Sequence, residues 1–445
     1  MNQESGKATR IQVFSFNTPS MRAFHMAWAS FFLCFFAWFG IAPLMKVVRD
    51  EMGLSKEQLG WCMIGSVAST IVARVVMGRV CDRIGPRRAF SMLLILGSLP
   101  VMGIGLAHDF ATFLLFRIMI GMIGAAFVVT QYHTSMMFAS NCIGTANATT
   151  AGWGNMGGGI TQMAMPALYA LLAGTLGFGS YWGWRLAMAC VGLVCLLAGV
   201  AYFFLTQDTP EGNFADLEDA GRKRERKRSG GIFEAARDRR VWVLFVLYGA
   251  CFGVELTIDN VAALYYSDHF GLSLTGAGLA AGSFGLMHLF ARTLGGFASD
   301  RFGMRWGLSG RITLLFMTLM AEGVGLILFS RMTSVAAAIP AMLAFGLFMK
   351  MAEGATYAVV PFVNRRAFGA VAGIVGAGGN AGAVAAGFLF NGTLDWPTAL
   401  MVLGVVVTLS SFLTLSIRFS TVNDAERDVA VERHRERPEF AVATT

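Results

Sequence analysis

The chain has 445 residues, 55% of them hydrophobic and only 14% charged, with a mean hydropathy of +0.59. A soluble domain carries about 25% charge, so this composition places the chain in lipid, rules out a small module, and leaves room for roughly twelve spans of about 20 residues. The net charge of +8 does not point to nucleic acid, because the basic residues sit between apolar runs rather than across one foldable polar face.

A polar segment, 1–23, precedes the first apolar run. That run has no small-residue cleavage pattern after it, so it reads as a retained span and not as a removed signal peptide. Apolar stretches then recur at 24–45, 57–80, 89–107, 111–138, 147–173 and 183–205, and again at 241–265, 275–299, 309–330, 333–361, 368–391 and 397–417. These are twelve expected membrane helices in two sets, 24–205 and 241–417. A polar connector, 206–240, separates them and carries the basic run 222–228, and a polar tail, 418–445, follows. The 53 glycines against 10 prolines argue for close helix packing. Cys34, Cys62, Cys81, Cys142, Cys190, Cys195 and Cys251 lie in or beside apolar segments without paired metal spacing, so they read as small core residues.

Lys and Arg concentrate on alternate connections, the exception being the one near 45–56, where Lys46, Arg49 and Lys56 are accompanied by Asp50, Glu51 and Glu57. Arg79, Arg83, Arg87 and Arg88, the connector cluster, Arg301, Arg305 and Arg311, and Arg365 and Arg366 all lie on the even-numbered ones. By the positive-inside rule, both termini are expected in the cytoplasm of a multi-pass protein of the inner membrane. An internal repeat supports the division. ARVVMGRVCDRIGPRR at 73–88 returns as ARTLGGFASDRFGMRW at 291–306, so Arg74, Gly78, Asp82 and Arg83 match Arg292, Gly296, Asp300 and Arg301. GWGNMGGG at 152–159 pairs with AGGNAGAV at 377–384, aligning Asn155 with Asn380. Two homologous six-helix halves are what a rocking transporter requires.

The element from Gly78 to Arg88 and its copy after the eighth span resemble the loop signature of the major facilitator superfamily, and Arg117-x-x-x-Gly121 resembles another of its motifs. AGWGNMGGGITQ (151–162) and GAGGNAGAV (376–384) resemble the paired nitrate signatures of the nitrate/nitrite porter family. TQYHTSMMF (130–138), YGACFGVELTIDNVAALYY (248–266) and AEGATYAVVPFVNRR (352–366) are similar to its high-affinity branch. The resemblance implies an all-α fold of twelve transmembrane helices in two pseudo-symmetric bundles. It implies anion binding by Arg74 and Arg292, and a substrate site lined by Phe127, Tyr248, Phe252 and Tyr357. It also implies loop residues Gly78, Asp82, Arg83, Asp300 and Arg301 that act in the conformational change. The shorter connector and tail of this chain leave a partner protein uncarried, and a monomer is expected.

The residues speak to the same chemistry. Arg74 and Arg292 lie eight residues before Asp82 and Asp300, about 12 Å deeper along a helix and near the middle of a 30 Å core. An arginine there costs on the order of 3 kcal/mol unless something inward-facing stabilises it. One reading is a buried ion pair with Glu255, Asp259 or Glu353. The other is an anion site shared between the halves, where planar, forked guanidinium groups suit a flat oxyanion such as nitrate or nitrite. The glycines around Asn155 and Asn380 permit close packing, and with Gly154 and Gly379 they bring two uncharged amides to the ligand. Tyr248 and Phe252 share a helix face, as do Glu353 and Tyr357.

Importing an anion against a negative interior requires co-transported protons or exchange. Glu255, Asp259, Glu353, His133 and His288 are the intramembrane groups able to carry protons, although Glu353 has an alternative structural role as a partner of Lys350. The expectation is a nitrate importer, nitrite included, working by alternating access with protons. Nitrate/nitrite exchange, nitrite export, a non-transporting nitrate sensor, and a drug or sugar porter are the alternatives. An enzyme reading finds no nucleophile–base pair, metal constellation or cofactor motif, so no cofactor is expected.

Overall fold

The polar residues that punctuate the apolar runs act as helix caps. Thr18 accepts from the Met21 N–H, with a proline at the first helical position. Ser55 and Gln58 form a capping box, Asp109 and Thr112 form another, and Asp395 accepts from Thr398. The computed structural model describes residues 6–139, 142–219, 231–364, 368–392 and 394–419. The basic run 222–228, Arg365, Arg366 and the tail from 420 onward fall outside the described residues.

Among the described residues, ten helical stretches are long and apolar enough to cross a membrane. We label the crossings α1 (Pro19–Phe39), α2 (Lys56–Ile84), α3 (Pro86–Gly103), α4 (Phe110–Met137), α5 (Ile143–Ala170) and α6 (Gly179–Leu205). The second half begins with α7 (Arg239–Phe270), α8 (274–305) and α9 (308–329), and continues with α10 (Val335–Val359), α11 (Phe368–Asn391) and α12 (Trp396–Ser411). Helices α8 and α9 run on as one helical stretch, Leu274–Phe329, through the charged connection between them. It turns at Trp306 and Gly307, where Gly307 adopts φ +62°, a conformation that favours glycine. Helix α5 is absent from the ten because its run of glycine, asparagine, threonine and glutamine lowers its hydropathy.

Helix α1 begins at Pro19, five residues before the first apolar run, because Thr18 supplies the cap there. It ends at Phe39. A 3-10 turn then leads into a short helix, Met45–Met52, that continues the first candidate span to Met52.

Glycine decides which helices touch. Within the first half, a Cβ at Gly154 of α5 would lie 1.9 Å from the Phe31 ring of α1, and one at Gly157 would lie 2.1 Å from the Phe32 carbonyl. The second half repeats the arrangement. Gly379 of α11 faces the Phe252 ring of α7 at 2.3 Å, and Gly382 faces the Gly249 carbonyl at 2.3 Å. The halves meet along α2 against α11 and α5 against α8: Gly60 abuts the Asn391 backbone, Gly387 abuts Ile64, and Gly159 abuts Gly285.

Polar contacts between the halves gather at the end remote from the connector. Arg49 pairs with Asp268, Lys46 donates to Ser267 at 3.1 Å, and Lys56 donates to the Leu394 carbonyl. Towards the connector side, a Cβ added at Gly296 or Gly373 would meet nothing within 4 Å. Among the described residues, the halves are thus joined by polar contacts at the end remote from the connector. Replacing Gly159 with alanine sets a Cβ against the Gly285 backbone. It is expected to destabilise this junction of the halves by about 1–3 kcal/mol, read as a lower unfolding midpoint than that of Gly174→Ala, whose Cβ meets nothing within 4 Å.

Candidate functional site

Arg74 lies past the midpoint of α2, on the stretch that crosses α11. Its Nη1 donates to the Gly376 carbonyl at 3.4 Å, and its guanidinium lies 5.3 Å from the centre of the Phe127 ring of α4. Its Nε is buried without a hydrogen-bond partner. Among the described residues it forms no ion pair with a carboxylate; the groups that act on it electrostatically are Tyr248 and Tyr357.

Arg292 occupies the matching place on α8, and the same two tyrosines act on it. Its Nη2 donates to the Tyr248 hydroxyl at 3.0 Å, and its Nη1 lies 3.1 Å from Oε2 of Glu353, close enough for an ion pair but not aligned as a hydrogen bond. Tyr357 lies beneath it at 5.9 Å. The two arginines thus converge on one pair of tyrosines, one from each half of the molecule. Helix α8 is broken just before Arg292: it tightens to a 3-10 turn at Met287–Leu289 and resumes at Ala291, after Phe290 leaves helical geometry at φ −133°.

Aromatic rings wall the space. Tyr248 stacks on Phe252 at 5.2 Å with planes 10° apart, and meets Tyr357 edge-on at 5.1 Å. Phe127 contacts Phe31 at 5.9 Å, a ring that sequence reasoning did not select. The space in front of Gly154 and Gly379 is filled by Phe31 and Phe252, so each glycine seats a ring of the site. Asn155 is 1% exposed and Asn380 0%, and in both amides the nitrogen and the oxygen lack hydrogen-bond partners. Burying an amide without partners costs about 1–3 kcal/mol, and the two unmatched amides occupy equivalent positions in the repeat.

Behind Arg292 lies a dense set of ionisable side chains, all in the second half. Lys350 donates to Glu255 at 3.2 Å and to His288 Nε2 at 2.9 Å, while His288 Nδ1 donates to the Gly285 carbonyl at 2.7 Å. Donation from Nδ1 to Gly285 leaves Nε2 as the ring nitrogen that faces Lys350 and Glu255. Glu255 Oε1 also lies 2.9 Å from the same Nε2. Glu353 pairs with Arg292 and acts electrostatically on the Glu255 carboxyl, whereas Lys350, one turn away on its own helix, turns to Glu255. Asp259 faces Gly158 of α5 across the junction of the halves, with Oδ2 unpartnered.

Glu322 of α9, missed in the sequence, is fully buried with both oxygens unpartnered, and it acts electrostatically on Glu255 and Lys350. A lone acid in the apolar run 309–330 was the available signal. Arg117, noticed only as part of a motif, crosses from α4 to donate to the Trp38 carbonyl at 3.2 Å and to Asn260 of the other half at 3.0 Å.

His133 is not brought to this cluster. It lies near the connector end of α4, with ring nitrogens 2.6 Å from the Tyr202 hydroxyl and 2.8 Å from the Gln207 carbonyl. The loop after α2 is organised by Asp208, also unforeseen. Its Oδ1 accepts from the Arg87 N–H at 2.9 Å and its Oδ2 from the Phe214 N–H at 3.0 Å, against Gly85 at φ +86°. Burial pushes the Asp208 carboxyl above its ordinary range while those two donors hold it down. Gly78 lies open but for Val128 at 3.9 Å, Asp82 accepts from Tyr132 at 3.1 Å, and Arg83 and Arg301 are exposed. In the second copy, Asp300 pairs with Arg311 at 2.6 Å.

Paired helical halves around a central cationic site define a membrane carrier. Residues 27–361 match the Major Facilitator Superfamily. The chain is 38% identical over 404 residues to "High affinity nitrate transporter 2.5" of Arabidopsis thaliana, covering 90% of this chain and 80% of that one. It is also 38% identical over 401 residues to "Nitrate transporter 2.1" of Chlamydomonas reinhardtii, covering 89% and 73%. To "Nitrate/nitrite transporter NrtP" of Picosynechococcus sp. it is 29% identical over 461 residues, covering 84% and 85%. Among solved structures, a D-xylose–proton symporter superposes with a TM-score of 0.70 at 15% identity, covering 89% of this chain and 97% of that one. An inward-facing bacterial homologue of the human lysosomal transporter Spinster gives 0.67 at 17%, covering 96% and 100%. The chain belongs to the Major Facilitator Superfamily and, within it, to the family of the high-affinity nitrate transporters; it is an integral, multi-pass membrane transporter and not an enzyme.

Because both amides lack hydrogen-bond partners, Asn155→Leu and Asn380→Leu are each expected to raise the stability of the unliganded protein, by about 1 kcal/mol. Thermal unfolding in detergent checks this.

Proposed function

We propose that this protein imports nitrate, and accepts nitrite, across a cytoplasmic membrane by alternating access together with protons. The observation that carries the reading is the convergence of Arg74 and Arg292 on Tyr248 and Tyr357, with Arg74 left without a carboxylate. A buried cation of that kind calls for a mobile anion. Phe127 against Arg74, and the Tyr248, Phe252 and Tyr357 rings around Arg292, support a planar one, which two guanidinium forks grip at its oxygens. Asn155 and Asn380 donate without adding charge, so the anion is held and still released. Gly154 and Gly379 act by seating Phe31 and Phe252. The names of the relatives agree with this substrate.

Moving one negative charge inward costs about 2.3 kcal/mol per 100 mV, so uptake needs a driving ion. The second half supplies the means. Glu255, Asp259, Glu322 and Glu353 are four buried acids against two fixed cations, Lys350 and Arg292, and an excess of acids in a low dielectric is relieved by protons. His288 is a further proton acceptor within the cluster, while His133 stays with the connector. Bundles 24–205 and 241–417 rock about the helix contacts, and the connector 206–240 and both termini face the cytoplasm, consistent with the basic loops of that side. The carrier acts in the bilayer as a monomer and requires no cofactor.

Nitrate-dependent thermal stabilisation, compared with nitrite, chlorate and chloride, tests the site. Arg74→Lys keeps the charge and loses the fork, so its nitrate affinity is expected to fall about tenfold or more, near 1.4 kcal/mol. Unchanged binding sinks the two-fork site. Counterflow in proteoliposomes tests the coupling: uptake that ignores a pH gradient and depends on internal nitrite replaces symport with exchange.

A further inference from the structure

Arg292 has its two terminal nitrogens engaged, one by the Tyr248 hydroxyl and the other by Glu353. An anion gripped by both prongs therefore has to displace something. Tyr248 is neutral and keeps its place by stacking on Phe252, whereas Glu353 offers the same flat, two-oxygen geometry as the anion itself. The contact it makes with Arg292 is short but misaligned, and its oxygens have no other hydrogen-bond donor.

Glu353 is also the member of the acid cluster nearest the site. Arg292 of α8 faces it from one side. Glu255 of α7, with Tyr248 and Cys251 on the same helix, faces it from another, and Lys350 and Tyr357 lie on its own helix. Glu322 of α9 completes the surroundings beyond Glu255 and Lys350. The nearby stretch of α11, 376–380, carries no charge. A carboxylate that leaves Arg292 here loses its ion-pair partner, Arg292 Nη1 at 3.1 Å, and stays in the electrostatic field of a second carboxylate, Glu255. Two such groups settle when one proton lies between them.

We propose that Glu353 is an internal competitor for Arg292: nitrate displaces its carboxylate from the guanidinium, and the freed carboxylate binds a proton from solution, shared with Glu255. This rests on the nitrate reading of the site and deepens it. One ion pair breaks and one forms, one O–H bond is made, and the charge of the loaded site equals that of the unloaded one. Proton and anion are thereby coupled through a single side chain, and no movement of the helices is needed to link them.

Proton uptake on nitrate binding, measured with the purified full-length protein in weak buffer, tests the competition. The wild type is expected to take up about one proton per nitrate bound, with affinity rising about tenfold per unit fall in pH where Glu353 is ionised. Glu353→Gln is expected to bind nitrate as tightly or more tightly, to lose the pH dependence of binding, and to lose acid-driven accumulation. Nitrate binding by the wild type without proton uptake overturns the competition and leaves the anion site standing, as does wild-type uptake in Glu353→Gln. A wild type that binds no nitrate overturns the transport reading and the competition together. Should the variant fail to fold, the wild-type proton count decides alone.

Discussion

A guanidinium held halfway through a membrane has to be answered by negative charge, and the rest of this molecule is arranged around that demand. The two halves answer it differently. Arg292 is met by a carboxylate of its own half, Glu353, whereas Arg74 is met by a backbone carbonyl and aromatic rings. Dipoles and ring faces soften the cost of a buried cation but do not cancel its charge. The repeat therefore duplicates the cations without duplicating their partners, and the acids gather in the second half. The site is symmetric in its arginines and asymmetric in its acids.

Glycine provides the second constraint. Helices α1 and α7 lie against α5 and α11 so closely that a methyl group would overlap a ring or a carbonyl. The same closeness holds α5 against α8, where Gly159 and Gly285 meet backbone to backbone. In lipid, where apolar side chains gain little by leaving their surroundings, such contacts bring van der Waals attraction and weak carbonyl interactions that larger residues would forfeit. They also set rings rigidly: Phe252 is pinned by Gly379 on one side and Tyr248 on the other.

How much of this was legible in the sequence depended on the kind of interaction. Apolar runs, alternating basic loops and the repeat revealed the twelve crossings, since those signals are local. Boundaries followed caps instead of hydropathy, so α1 starts at Pro19, and α8 and α9 divide at Gly307 inside one continuous helical stretch. Arg74 and Arg292 were visible as charges at the wrong depth, and the fold sets them against the same tyrosines. The choice of partners was not visible. Lys350 lies one turn from Glu353 in the chain yet bonds to Glu255 and His288, because spacing along a helix says nothing about the groups presented by the next one. Glu322 and Asp208 carried no motif, and their places are defined only by packing.

The anchorage of Asp208 bears on how the halves are tethered. It ties the beginning of the connector to the turn after α2, through Arg87 and Phe214, while at the far end Glu234 accepts from Asn364 at 2.8 Å in the other half. Each end is thus moored to its own bundle, and only the length between the moorings has to follow their relative motion. A chain severed within that interval would leave each fragment with its own moored end and its own helix-packing glycines. Two fragments made separately would then hold all they need to reassemble.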